Sequence, residues 1–177
     1  SNLKNIFNSK NVVCVNSCTA ALHLALKAKG FGPEDKLIAP TYTFVATVEV
    51  GEYLGMQCEL IDSEKQGFNI DLNIVEDKLK SDSAIKAIIP VHFAGQAVDM
   101  ESLLGLADKY GVFILEDAAH AFETVTNVGK VGNTNYAAAF SFYANKNITT
   151  GGEGGALSTN DKRLAEKVRK LSLHGIS

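Results

Sequence analysis

Short apolar runs alternate with amphipathic stretches along nearly the whole chain, and this alternation constrains the fold more than any other feature. The stretches Asn11–Val15, Lys36–Ala39, Gln57–Asp62, Ile85–Phe93, Gly111–Glu116, Ala137–Tyr143 and Gly155–Ser158 read as strands. Between them Thr19–Lys29, Phe44–Leu54, Asp71–Lys80, Met100–Tyr110 and Asp161–Leu173 read as helices. Leu22, Ala25 and Leu26 recur at helical spacing, as do Leu72, Val75 and Leu79. Pro40 closes one strand, Gly30 ends one helix, and Asn160 or Asp161 caps the last. Strands separated by helices of about ten residues build βαβ units. The expected fold is therefore α/β, a three-layer α/β/α domain around a mostly parallel sheet.

Composition bounds the function. Hydrophobic residues make up 46% of the 177, enough for one real core. With 17 Lys and Arg against 20 Asp and Glu there is no basic stripe, so no nucleic-acid partner is expected. The apolar runs are too short to span a bilayer, and Ser1–Val15 lacks the pattern of a signal peptide. Cys14, Cys18 and Cys58 form an odd, sparse set, which suits reduced thiols in the cytoplasm. Neither a CxxC pair nor a His-rich cluster occurs, so no metal is expected.

In a sheet of this kind ligands bind outside the carboxyl ends of the strands, so the residues just after each strand matter most. Val15-Asn16-Ser17-Cys18-Thr19 passes from a strand into a helix N-terminus, which favours an anion; an ordinary N-cap would look the same. Phe113-Ile114-Leu115-Glu116-Asp117 ends an apolar strand on two acids, followed by His120. Asp117 could hold a cationic ring nitrogen, or both acids could simply be solvated. Phe140-Ser141-Phe142-Tyr143-Ala144-Asn145-Lys146 sets a lysine after an aromatic-rich strand, beside the Gly151–Gly155 loop. A lysine in a partly desolvated pocket becomes a nucleophilic amine, although most lysines are solvated. Phe44 could stack on a planar ring or belong to the core. His92 and His23 read as structural histidines. An anion cradle, a carboxylate and a lysine at strand ends match the phosphate, ring nitrogen and aldehyde of pyridoxal 5'-phosphate (PLP).

The segments VNSCTAALHLAL, APTYTFVAT, AIIPVHFAGQAVDM, ILEDAAHAF and AFSFYANKNITTGGEGGALST resemble the DegT/DnrJ/EryC1/StrS family of sugar aminotransferases, which has the fold type I PLP architecture. The resemblance implies that Lys146 is the Schiff-base lysine and that Asp117 pairs with the pyridinium nitrogen. It implies that His120 contacts the cofactor's phenolic oxygen, that Phe44 stacks on the ring, and that Cys18, Thr19 and Ser141 hold the phosphate. Related dehydratases carry histidine in place of the lysine, and Lys146 argues against that branch. The implied reaction moves an amino group from an amino acid, glutamate, to a nucleotide-linked keto-deoxy sugar. The implied setting is amino-sugar biosynthesis for surface polysaccharide or lipopolysaccharide, by a cytoplasmic homodimer. Family members are longer, so residues 1–177 are expected to be the PLP-binding large domain, truncated at both ends and without the small C-terminal domain. The alternative is a non-catalytic PLP-binding or interaction module of the same family.

Overall fold

Alternation along each strand sorts the core. In β2 (Lys36–Pro40), Leu37 and Ile38 belong to different apolar clusters, as do Ala87 and Ile88 in β4 (Ile85–Ile88) and Ile114 and Leu115 in β5 (Phe113–Asp117). Successive side chains leave a strand on opposite faces, so both faces of the sheet are covered. The computed structural model describes residues 2–175. Ser1, Ile176 and Ser177, which belong to the expected domain, lie outside the described residues.

The remaining principal strands are β1 (Asn11–Val15), β3 (Gln57–Ile61), β8 (Ala137–Ser141) and β9 (Gly155–Thr159). Together they form a seven-stranded sheet of order β1-β9-β8-β5-β4-β2-β3. The run from β8 to β3 is parallel, while β9 is antiparallel to both β8 and β1. One face packs on α2 (Cys18–Lys29), α3 (Ala46–Glu52) and α6 (Lys162–Ser172), through Leu22, Leu26, Val50, Leu164 and Val168. The other packs on α4 (Leu72–Ser81) and α5 (Met100–Tyr110), through Val75, Leu79, Leu103 and Ala107.

Most element ends follow from local chemistry. Ser17 caps α2 by accepting the Ala20 N–H at 3.1 Å, and Gly30, at φ +87°, takes the left-handed turn that ends it. Of the two candidate caps for α6, Asp161 is the one used, accepting from the N–H groups of Arg163 and Leu164. The strand expected over Ile85–Phe93 stops at Ile88. Pro90 has no N–H for the ladder, and only an isolated bridge from Val91 to Asp117 follows before a 3-10 turn at Phe93–Gly95. The helix expected over Phe44–Leu54 is confined to Ala46–Glu52. Two elements carry too little pattern to read from sequence. They are α1 (Asn2–Phe7), anchored by Phe7 stacked on Phe140 at 4.1 Å, and the hairpin of β6 (Val125–Thr126) and β7 (Gly129–Lys130).

Candidate active site

The pleat separates the two acids that end β5. Asp117 pairs in register with Ala139, on the face of α2 and α3; Glu116 pairs with Ala138 and turns to the opposite face. Both are buried, which removes the reading that they are solvated. Glu116 Oε2 lies 3.0 Å from His92 Nε2. His92 Nδ1 accepts the Val98 N–H at 3.1 Å, so the ring proton sits on Nε2 and is donated to Glu116. His92 is therefore structural, as expected.

Asp117 is fixed from several sides. Its N–H donates to Pro90 O at 2.8 Å and its carbonyl accepts from His92 N–H at 3.1 Å. Its Oδ1 accepts the Ala119 N–H at 3.1 Å, and its Oδ2 accepts the Thr47 hydroxyl at 2.7 Å. The carboxylate faces a cleft of about 480 Å³, the scale of a small-cofactor site. All seven residues singled out from sequence line this one cleft: Cys18, Thr19, Phe44, Asp117, His120, Ser141 and Lys146.

The turn into α2 is built by contact as well as by helix geometry. The first N–H groups of α2 have no helical carbonyl behind them and point out of the helix end. Gly155, at the start of β9, lies hard against this turn. A Cβ there would sit 2.3 Å from Ser17 C and 2.6 Å from Cys18 N. The Cys18 side chain turns away from the helix end, with Sγ 3.4 Å from Ala139 O and 3.9 Å from Asp117 Oδ1. Burial pushes this thiol well above its ordinary value, and the Asp117 charge adds to the effect. The Cys18 thiol is thus taken up away from the turn, and Thr19 lines the cleft beside it.

His120 sits in a turn rather than on a helix, with Ala121 N–H donating to Ala118 O at 3.0 Å. Its Nδ1 accepts the Ala94 N–H at 3.4 Å, which leaves the ring proton on Nε2. Burial lowers its proton affinity, and the Lys146 charge lowers it further. The imidazole is therefore neutral at neutral pH. Phe44 is 75% exposed and lines the cleft, so it is not a core residue. Ser141 Oγ accepts the Tyr143 N–H at 3.4 Å and keeps its own proton to donate. Lys146 is half-buried after β8 and makes no ion pair among the described residues.

The sequence reading left out Thr47, which is wholly buried and braces Asp117, and Thr43 and Phe93, which line the cleft. No pattern in the sequence marks Thr47, because α3 begins only at Ala46 and its partner Asp117 lies seventy residues away. Among the described residues no helix is long and apolar enough to cross a membrane.

A mostly parallel sheet of this order, covered by helices on both faces and with a cleft at its strand tips, has the fold of PLP-dependent aminotransferases. Comparison with known proteins narrows the class. The chain matches the model of the DegT/DnrJ/EryC1/StrS aminotransferase family over residues 1–177 and belongs to that family, which is PLP-dependent. It is 47% identical over 173 residues to the spore coat polysaccharide biosynthesis protein SpsC of Bacillus subtilis, covering 96% of this chain and 43% of the relative. It is 40% identical over 167 residues to GDP-perosamine synthase of Caulobacter vibrioides, covering 94% and 44%. Among solved structures, S. venezuelae DesV superposes with a TM-score of 0.95 at 34% identity, over 99% of this chain and 47% of that one. NtdA of Bacillus subtilis, solved with bound PMP, gives 0.87 at 30% identity, over 98% and 39%. The chain thus spans less than half the length of these relatives.

Proposed function

We propose that the chain is the cofactor-binding part of a PLP-dependent aminotransferase that moves an amino group from glutamate to a nucleotide-linked keto-deoxy sugar. The observation carrying this reading is the convergence of a buried carboxylate, an amine with no ion pair among the described residues and a helix N-terminus on one cleft. These groups fit PLP one to one: carboxylate to ring nitrogen, amine to aldehyde, first-turn N–H groups to phosphate. When bound, PLP supplies an electron sink for the carbon that carries the transferring nitrogen.

The chain's own residues divide the work. Asp117 pairs with the ring nitrogen through a carboxylate already aimed by Thr47 and Ala119. The N–H groups of Cys18 and Thr19, with the hydroxyls of Thr19 and Ser141, hold the phosphate. His120, with its proton on Nε2, donates to the phenolic oxygen as a neutral imidazole. Phe44 covers one ring face and excludes water. Lys146 Nζ would hold the aldehyde end and, as a free amine, would move the proton at the donor's α carbon.

Relatives named for spore coat polysaccharide biosynthesis and for GDP-perosamine synthesis support a nucleotide-sugar acceptor. A homodimer in the cytoplasm is part of the same proposal. The exposed Phe44 and Tyr143, which line the cleft, and the exposed Val45 next to Phe44 fit a second subunit covering them. The test is an absorbance titration of the chain with PLP, repeated on Lys146→Ala. The expected result is a visible band that Lys146→Ala lacks and that glutamate bleaches. A band that Lys146→Ala retains would refute the assignment of the lysine, and a band that glutamate never bleaches would favour a non-catalytic binding module.

A further inference from the structure

A threonine buried in a helix interior needs a partner for its hydroxyl, because an unmade hydrogen bond there is costly. Thr47, wholly buried in α3, has two: Asp117 Oδ2 at 2.7 Å and Thr43 Oγ1 at 2.7 Å. A carboxylate can only accept, so the Thr47 proton goes to Asp117. Thr43 must then be the donor to Thr47. The direction of the chain is fixed, from Thr43 O–H to Thr47 O–H to Asp117. Both dipoles point toward the carboxylate, and each strengthens the other in surroundings of low dielectric.

The same turn of chain that carries this brace carries the ring cover. Thr47 N–H donates to Phe44 O at 3.1 Å, so Phe44 and Thr47 lie one tight turn apart. Phe44 enters the cleft while Thr47 reaches the carboxylate behind it. On the other oxygen, Oδ1 takes the Ala119 N–H. Each oxygen therefore has one close protein donor and keeps lone-pair capacity for a ligand N–H. Without Thr47, Oδ2 would have no donor from the described residues and the carboxyl group could turn about its own bond.

We infer that Thr47 is the positioning residue for Asp117, relayed by Thr43, and that together they set how firmly the ring nitrogen of the cofactor is held. The inference rests on the PLP reading. A hydroxyl donated to a charged group is worth about tenfold to a hundredfold in a binding constant. The experiment measures PLP dissociation constants by absorbance, and ring-nitrogen protonation by nitrogen NMR of isotope-labelled PLP, for the unsubstituted chain, Thr47→Val, Thr47→Ser and Thr43→Val. Thr47→Val, nearly isosteric, is expected to weaken PLP about tenfold to a hundredfold and to shift the ring-nitrogen resonance toward the unprotonated position. Thr47→Ser is expected to restore both. Thr43→Val, half-buried at the cleft wall, is expected to move both readouts the same way by a smaller amount, and it keeps the idea falsifiable if Thr47→Val fails to fold.

Affinity and resonance unchanged in Thr47→Val, or in Thr43→Val should the former not fold, would overturn the inference and leave the PLP reading standing. Equal loss in Thr47→Val and Thr47→Ser would also overturn it, since packing rather than the hydroxyl would then be at work. Failure of the unsubstituted chain to take PLP would overturn both.

Discussion

Gly155→Ala is the sharpest test of how the turn proposed to bind an anion is made. The added Cβ would sit 2.3 Å from Ser17 C, 2.5 Å from Ser17 O and 2.6 Å from Cys18 N. Carbon contacts rest at about 3.5 Å, so the turn or β9 must retreat by about 1 Å. All three neighbours are backbone, so no side-chain rotation can relieve the clash. Overpacking of this kind costs about 1–3 kcal/mol. For a chain of this size that lowers the melting temperature by about 2 to 12 °C. The retreat also moves the N–H groups proposed to hold the phosphate, and a displacement of about 1 Å can cost a site up to about a hundredfold. Thermal melts of the chain without cofactor and absorbance titrations with PLP read the two effects separately. Gly152→Ala is the matched control, because nothing lies within 4 Å of a Cβ there. If Gly155→Ala melts and binds like Gly152→Ala, the close approach of β9 to the turn is wrong.

Two further outcomes follow from packing and charge. Leu26→Ala, at a fully buried position of α2, should lower unfolding stability by about 2–5 kcal/mol in urea titrations, whereas Leu173→Ala, 63% exposed, should lie within about 0.5 kcal/mol of the parent. Burial lowers the proton affinities of His120 and His23 in the folded chain, with the nearby lysines Lys146 and Lys27 acting the same way. Just below the ordinary histidine value of 6.5 the unfolded chain then binds more protons than the folded one, so stability is full above that pH and declines as pH falls through the depressed values. Urea midpoints across that window should fall with acidity, and His120→Gln should flatten part of the decline; a midpoint that rises on acidification would refute the sign.

Periodicity made the layers legible, because both faces of the sheet are buried and strands such as Phe113–Asp117 are apolar runs flanked by helical spacing. Lys146, Asp117 and the turn after β1 were legible as well, since each follows a strand whose end could be placed. Thr47 was not, because a buried hydroxyl inside a helix looks like any threonine until its partner, seventy residues away in sequence, is brought to it. The hairpin at Val125–Lys130 was missed because two-residue strands carry no period to detect. The direction in which Cys18 points was also illegible. One residue's backbone faces the helix end while its thiol reaches Asp117, and only the three-dimensional packing separates the two.

Among the described residues β1 has a single strand neighbour, β9, which follows it far downstream in sequence. On the ribosome the first strand therefore emerges long before the segment that clasps it. The turn after it gains its backing, and so its shape, only when residues 155–159 have left the exit tunnel. A nascent chain short of that point has the lysine and the acid but lacks the strand that backs the turn, so this end of the cleft takes its shape after the other two groups are already in the chain.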